Sequence, residues 1–524
     1  MRVLNFVRPA RTHHRRPAVL LALLWALVAG LGLTAPAAAA QEAESALSTG
    51  YNVWGQLGDG TVNNRNTPGD IVLPDGVRLT AIEAGTYFGL GLTSEGKVLA
   101  WGQNNAGQLG DGTMTDHRTP MPVDLPADAT IVAIAAGSMH GLALASDGRL
   151  FAWGNNDRGQ LGDGSVINRL TPVEVDLPPG TTVTQLAAGL SHTLALTSVG
   201  EVLAWGGNDR GQLGDGTVTE HHVPTPVDLA SGITVTEIAA GDIHSLAVTS
   251  EGEALAWGYN AGGQLGDGSA TDRRVPTPVH LPSGTVVTGI AGGSSHSLAV
   301  TSTGDVLTWG YNLYGQLGDD STANQFLPVQ ALLPPGVTAT AVGAGMFHSL
   351  ARTSDGRLLA WGENFYGGLG DGTYVQSGVP VWVDLPAGQS VIDFDGGLSF
   401  SLIITGPPAD GEVLITKTDR KTGDPLAGAV FRLWRESNGR PGLQTRGDSP
   451  DTAVGDGCAT DAEGRCSFEN LPSGDYYVQE TDVPEGYKLP KHRVTGPFEV
   501  NGAGGGVELH LTNERVHCPK GKPC

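Results

Sequence analysis

The feature that most constrains this chain is a repeat with a step of 52 residues. Gly-Gln-Leu-Gly-Asp-Gly, or a one-residue variant, begins at Gly55, Gly107, Gly159, Gly211, Gly263, Gly315 and Gly367. A second motif, Ala-Gly-x-x-His-Ser-Leu-Ala, keeps the same step, and its His position reads Phe88, His140, His192, His244, His296, His348 and Phe400. A third, Val-Leu-Ala-Trp-Gly, places Trp101, Trp153, Trp205, Trp257, Trp309 and Trp361 at that interval. Seven units of 52 fill 364 residues, from Glu42 to Thr405. Each unit holds about four short apolar stretches separated by Gly, Pro, Asp or Asn, as in Val183–Ala187, Thr193–Thr197 and Glu201–Trp205. The whole chain has 78 Gly, 32 Pro and only 16% charged residues, which suits tight turns between strands rather than long helices.

Four strands in each of seven units predict a seven-bladed β-propeller, with an open solenoid as the alternative. The ends of the array support a ring. The seventh unit stops at Ser401-Leu402-Ile403-Ile404-Thr405 and lacks the Val-Leu-Ala-Trp-Gly strand, while Ala46-Leu47-Ser48-Thr49-Gly50 precedes the first unit in register with it. Ala46–Thr49 should pair with Ser401–Thr405 and close the last blade, removing two strand edges. Thr49 stands where the other units have Trp, so lighter packing is expected there.

Trp-Gly-x-Asn-x-x-Gly-Gln-Leu-Gly-x-Gly resembles the signature of the regulator-of-chromosome-condensation repeat family, over roughly 365 residues. The resemblance implies the propeller. It does not carry over the guanine-nucleotide exchange of the eponymous member, because a repeat specifies a fold rather than a task. Exported bacterial relatives in that family include propellers that inhibit β-lactamases by covering the active-site mouth.

The repeated Gly residues are expected in turns with positive φ, and the Asp of Leu-Gly-Asp-Gly on turn amides. Five His at one position invite a metal reading. Ring neighbours lie about 0.87 radii apart, hence about 6 Å or more, whereas two zinc ligands sit about 3.3 Å apart. A His bonded to the adjacent blade is therefore the expectation, with no metal and no cofactor. No triad, carboxylate pair or phosphate loop stands out, and the protein is expected not to be an enzyme.

Specificity should lie where units differ. Units 5, 6, 7 and 1, neighbours in a closed ring, place Tyr259; Tyr311 and Tyr314; Phe365 and Tyr366; then Tyr51 and Trp54 within Trp-Gly-x-Asn-x-x-Gly. Units 2 to 4 carry Asn105, Asp157, Arg158, Asp209 and Arg210 there. One face should thus bear an aromatic arc for binding a partner, opposite a polar arc, with Met346 and Phe347 extending the aromatic side. The alternative is that these rings only pack between blades. A second variable stretch with Arg65, Arg118, Arg169, His221, His222, Arg273 and Arg274 forms either a basic rim or plain solvated loops.

A short linker, residues 406–411, precedes a different pattern over residues 412–513. Period-2 alternation aligns Lys417 with Val413 and Ile415, Glu480 with Tyr476 and Val478, and Asn513 with Val507, Leu509 and Leu511. Three polar groups directed inward should meet, since a lone buried charge is costly. Burial favours a neutral, nucleophilic Lys417 amine and a protonated Glu480 that shuttles protons. The amine can attack the Asn513 carboxamide and expel ammonia; a plain hydrogen-bonded cluster is the alternative. Lys-x-Asp after a strand, Tyr-x-Val-x-Glu-Thr and a last strand ending in Asn resemble the prealbumin-like, Cna B-type and SpaA-type domains of Gram-positive adhesins and pili. That resemblance, over about 100 residues, implies a small β-sandwich stalk in which Lys417 and Asn513 form an isopeptide bond and Glu480 catalyses it.

Residues 1–40 read as a signal peptide: five Arg, the apolar run Ala18–Leu33, and Ala38-Ala39-Ala40 before Gln41. The run is shorter than the ~20 residues a spanning helix needs, so no membrane span is expected after cleavage. Removing those five Arg takes the net charge from −23 to −28, which repels nucleic acid. Residues 514–524 form a tail. Cys458 with Cys466 and Cys518 with Cys524 are the local disulfide choices among three pairings, permitted outside the cell. The chain is thus expected to be a secreted or cell-surface, non-enzymatic binding propeller on a cross-linked stalk. Its partner would be an extracellular or cell-surface protein. A ligand-free structural or matrix component, and an inhibitor of an extracellular enzyme such as a β-lactamase, are the alternatives.

Overall fold

The computed structural model describes residues 44–406, 411–436, 442–445, 451–471, 474–500 and 507–516; among them there is no α-helix. The expected signal peptide, the centre of the expected linker, and Cys518 and Cys524 lie outside the described residues.

Seven four-stranded antiparallel sheets carry the repeat, and each is one blade. Blade 1 is Leu79–Ala84, Phe88–Thr93, Val98–Gly102 and His117–Pro122. Blades 2 to 6 begin at Ile131, Val183, Val235, Val287 and Ala339 with the same order. Blade 7 is composite: Ser390–Gly396 and Phe400–Gly406 come from the end of the array, Ser45–Gly50 and Arg65–Asp70 from its start. Ser45 pairs with Thr405 and Gly50 with Phe400 in unbroken antiparallel register, so the ring closes where the missing strand implied. The second and third strands of every blade are almost wholly buried, because adjacent blades cover both faces; this explains their continuous apolar runs.

One hydrogen-bond relay explains most of the repeat. In the seam between blades 2 and 3, His140 Nε2 lies 3.1 Å from Thr193 Oγ1, which donates to the Gln160 carbonyl at 2.9 Å. Trp205 Nε1 donates to that same carbonyl at 2.9 Å. Equivalent relays join His192 to Ser245, His244 to Ser297, His296 to Ser349 and His348 to Ser401. Because each hydroxyl donates onward, Nε2 carries the imidazole proton. Desolvation pushes the His pKa down, to about 4 at His140 and His348 and about 3 at the three between. The Gly of Ala-Gly-x-x-His is demanded by close approach: a Cβ at Gly137 would collide with the His140 ring and come within 2.7 Å of the Gly189 carbonyl.

Two seams depart from this pattern, and they do so in pairs. Where His becomes Phe88 or Phe400, the hydroxyl residue facing it in the next blade becomes Gly141 or Gly89. Both Phe rings are fully buried. A polar pair and an apolar pair thus fill the same site. At the seam between blades 6 and 7 the Trp position is Thr49, whose Oγ1 donates to the Gly367 carbonyl at 2.9 Å, one residue before the Gly368 carbonyl that stands where the other seams' indoles bond.

The C-terminal domain is a sandwich of two four-stranded sheets. Gly411–Asp419 lies between Arg465–Leu471 and the parallel strand Val507–Arg515, with Tyr487–Lys488 at that sheet's edge. Val430–Arg435 and Gly474–Asp482 are the central strands of the second sheet, flanked by Thr452–Ala459 and Val494–Val500. The apolar core includes Val413, Ile415, Phe431, Leu433, Tyr476 and Val478. Cys458 and Cys466 form a disulfide.

Candidate functional site

The loop after each third strand and the loop after each first strand carry the residues that differ between blades. In blades 5 to 7 and 1 they assemble two clusters of rings. Tyr314 meets Phe347 edge-on at 5.4 Å and Phe365 at 5.8 Å between centroids. Tyr366 meets Tyr51 at 4.6 Å, and Tyr51 meets Tyr87 at 6.1 Å. Phe365 and Tyr366 are chain neighbours, so the six rings form one ribbon. Phe365 is 56% exposed and Tyr366 41%, with Leu313 and Val53 exposed beside them. These rings pack on one another yet remain wet on one side, which is how an interface anchor differs from a core residue.

Not every expected member joins the ribbon. Trp54 is exposed but makes no ring contact among the described residues. Tyr259 is covered by the chain itself, with the Arg210 guanidinium 5.1 Å from its centroid and also 3.4 Å from Asp272. Tyr311 is half-buried, and burial pushes its pKa up. Tyr87 was not legible from the loop motif, because it lies beside the His position of another motif.

Five of the seven residues of the supposed basic rim meet acids of the chain itself, His222 through Glu220 at 3.9 Å. The Asp of Leu-Gly-Asp-Gly binds the residue six places on: Asp163 with Arg169, Asp215 with His221, Asp267 with Arg273 and, at 3.8 Å, Asp59 with Arg65. Those side chains brace their own loops rather than face a partner. Arg118 and Arg274 remain exposed on the outer strands.

The channel between the first strands encloses about 260 Å³ and contains acids the sequence did not single out. Glu83, Asp393 and Asp395 converge where blade 7 meets blade 1. Asp393 accepts the Ile82 amide at 2.9 Å and Asp395 the Ala84 amide at 2.8 Å. Desolvation, then mutual repulsion, raises Glu83 strongly and Asp395 to about 7. Asp393 and Asp395 are committed to capping backbone amides across the seam between blades 7 and 1, and Glu83 reaches the Ala136 backbone of blade 2. No group of three or more His, Cys, Asp or Glu suited to a metal occurs among the described residues.

In the sandwich the three inward polar groups meet. Lys417 Nζ is 3.0 Å from Glu480 Oε2, and Asn513 Nδ2 donates to Glu480 Oε1 at 2.8 Å. All three are at most 3% exposed. Lys417 and Asn513 sit on adjacent parallel strands, Glu480 on the facing sheet. Burial lowers the Lys417 pKa against the pull of Glu480, and its Nζ lies 5.5 Å from the Phe431 ring centroid. Asn513 Oδ1 has no hydrogen-bond partner among the described residues, so the bond from Nδ2 to Glu480 orients the carboxamide.

An RCC1-like domain model matches residues 31–288 and 179–416, and a SpaA prealbumin-like fold model matches residues 411–515. The ultraviolet-B receptor UVR8 of Arabidopsis thaliana is 34% identical over 63% of this chain and 75% of its own length. The human E3 ubiquitin-protein ligase HERC2 is 32% identical over 75% of this chain, but the match spans only 8% of that ligase. Among solved structures, Prp20p of Saccharomyces cerevisiae, characterised for binding Gsp1p and histones, superposes with a TM-score of 0.63 at 26% identity, covering 70% of this chain and 92% of that one.

Proposed function

Since the chain belongs to the RCC1-like propeller family and ends in a prealbumin-like domain, we propose that it is an exported, non-enzymatic recognition protein. The propeller binds a protein partner through the aromatic ribbon of blades 5, 6, 7 and 1. The sandwich is its stalk, made rigid by an amide between Lys417 and Asn513. The observation that carries this is the ribbon itself: six rings from four blades, stacked in sequence around one face and open on one side. Relatives of this fold serve in binding and regulation, and the shared propeller of the HERC2 ligase is a small fraction of that enzyme. Export rests on the sequence of residues 1–40 and the cell surface on the adhesin-like second domain.

In the stalk, Glu480 takes a proton from the Lys417 ammonium, and the neutral amine attacks Cγ of Asn513. Glu480 then delivers that proton to Nδ2 and takes the second proton from the attacking nitrogen as the Cγ–Nδ2 bond breaks; ammonia leaves, one amide remains and Glu480 ends protonated. Nothing outside the domain is consumed.

Affinity capture from culture fluid tests recognition. Wild type should retain a protein that a Tyr314→Ala/Phe365→Ala/Tyr366→Ala variant does not. Equal capture by both chains counts against the ribbon.

A further inference from the structure

The same position of successive loops decides what covers the first ring of the next blade. Tyr366 lies over Tyr51 at 4.6 Å, and Arg210 lies over Tyr259 at 5.1 Å. In the seam between blades 4 and 5 that position is Gly262, and its partner ring is Tyr311. A Cβ placed on Gly262 would already be 3.5 Å from Tyr311 Cβ. That position therefore brings a side chain over the next blade's ring in the seams between blades 3 and 4 and between blades 6 and 7, and none here.

Charge says what belongs in that seat. The loops 51–64, 259–272, 311–324 and 363–376 contain seven Asp or Glu and no Lys, Arg or His; Asp59, Asp267 and Asp272 pair with Arg65, Arg273 and Arg210, and Asp319, Asp320, Glu363 and Asp371 have no ion-pair partner among the described residues. One of the acids, Asp320, holds φ +59° where the other six units have Gly, so a carboxylate is kept there against backbone preference. A cation over an aromatic face, within an acidic body, is attracted both by the ring and by the long-range field. We propose that the half-buried Tyr311 ring, over which Gly262 places no side chain, receives an arginine side chain from a basic segment of the partner, in the pose Arg210 takes on Tyr259. This rests on the recognition role proposed above and names the partner's chemistry: a positively charged, arginine-bearing protein segment.

The test uses the full chain and a fluorescent peptide of alternating Gly and Arg, with an otherwise identical peptide in which citrulline replaces Arg. Gly262→Arg fills the seat from within, and it should fold because Arg158 and Arg210 occupy that position with the same Gln side chain bound to their amide. Val199→Arg, in an exposed hairpin turn, adds the same charge elsewhere. Anisotropy at 150 mM salt should show wild type and Val199→Arg binding the Arg peptide alike, with Gly262→Arg about tenfold weaker. The citrulline peptide should bind at least about tenfold less well to wild type. If Gly262→Arg matches Val199→Arg, or citrulline replaces Arg without loss, the seat is refuted. The ribbon variant Tyr314→Ala/Phe365→Ala/Tyr366→Ala spares Tyr311 and separates the two claims. If Gly262→Arg keeps the Arg peptide while the ribbon variant loses the captured protein, only the seat falls. If the ribbon variant captures that protein like wild type, the ribbon falls and the seat is judged by the peptides alone.

Discussion

The paired exchange of His/Ser for Phe/Gly makes a double-mutant prediction in the seam between blades 4 and 5. Replacing His244 by Phe removes its bond to Ser297, about 1 kcal/mol, and presses a larger ring on the serine, another 1–3 kcal/mol or so. Replacing Ser297 by Gly strands the buried His244 N–H at about 1–3 kcal/mol and adds about 0.5–1 kcal/mol for a glycine in a strand. Each single change should therefore cost about 2–4 kcal/mol. The double change reproduces the pairs Phe88/Gly141 and Phe400/Gly89, so it should cost no more than either single change. Urea midpoints at constant m-value, followed by tryptophan fluorescence, measure this. A coupling of about 2 kcal/mol or more in favour of the double variant is expected. Additive losses would refute the idea that the two pairs are interchangeable solutions to one packing problem.

Intact mass of the mature chain should fall about 17 Da below the sequence value after disulfide correction, and Lys417→Ala should not show that loss. Acidification should destabilise the propeller. The five His are held below their unfolded pKa, so the unfolded chain takes up more protons from about pH 6.5 down to about 4, and stability is lost as pH falls. The double variant above should lower that pH slope by about one proton. Asp395, held above its unfolded pKa beside Glu83 and Asp393, acts oppositely: its contribution is lost as pH rises to about 7, so Asp395→Asn should gain relative stability at pH 8. Asp320→Gly should raise stability by about 1 kcal/mol by relieving its positive φ, read from the same urea midpoints.

The ring was legible because every blade has the same burial problem and solves it with the same residues at a constant step. Closure was legible for the same reason: Ala46–Gly50 continues a pattern that Ser401–Thr405 leaves unfinished. Lys417, Glu480 and Asn513 showed through strand alternation, since each interrupts an otherwise apolar face. What escaped notice depends on contacts across blades rather than along one. Tyr87 joins the ribbon only through the ring geometry. Arg65 and Arg273 look like rim cations until the loop folds them onto Asp59 and Asp267. Asp393 and Asp395 are unremarkable in a strand, yet they cap amides of a blade more than 300 residues away in sequence.

Recognition by unequal tips on an otherwise uniform ring is tested most directly by hydrogen–deuterium exchange of the chain with its captured partner. Protection is predicted at residues 85–87, 51–54, 311–315, 345–347 and 363–367, on the face bearing the ribbon. Protection centred on the Asp157–Arg158 and Asp209–Arg210 arc, or on the hairpin turns around Val199, would contradict it.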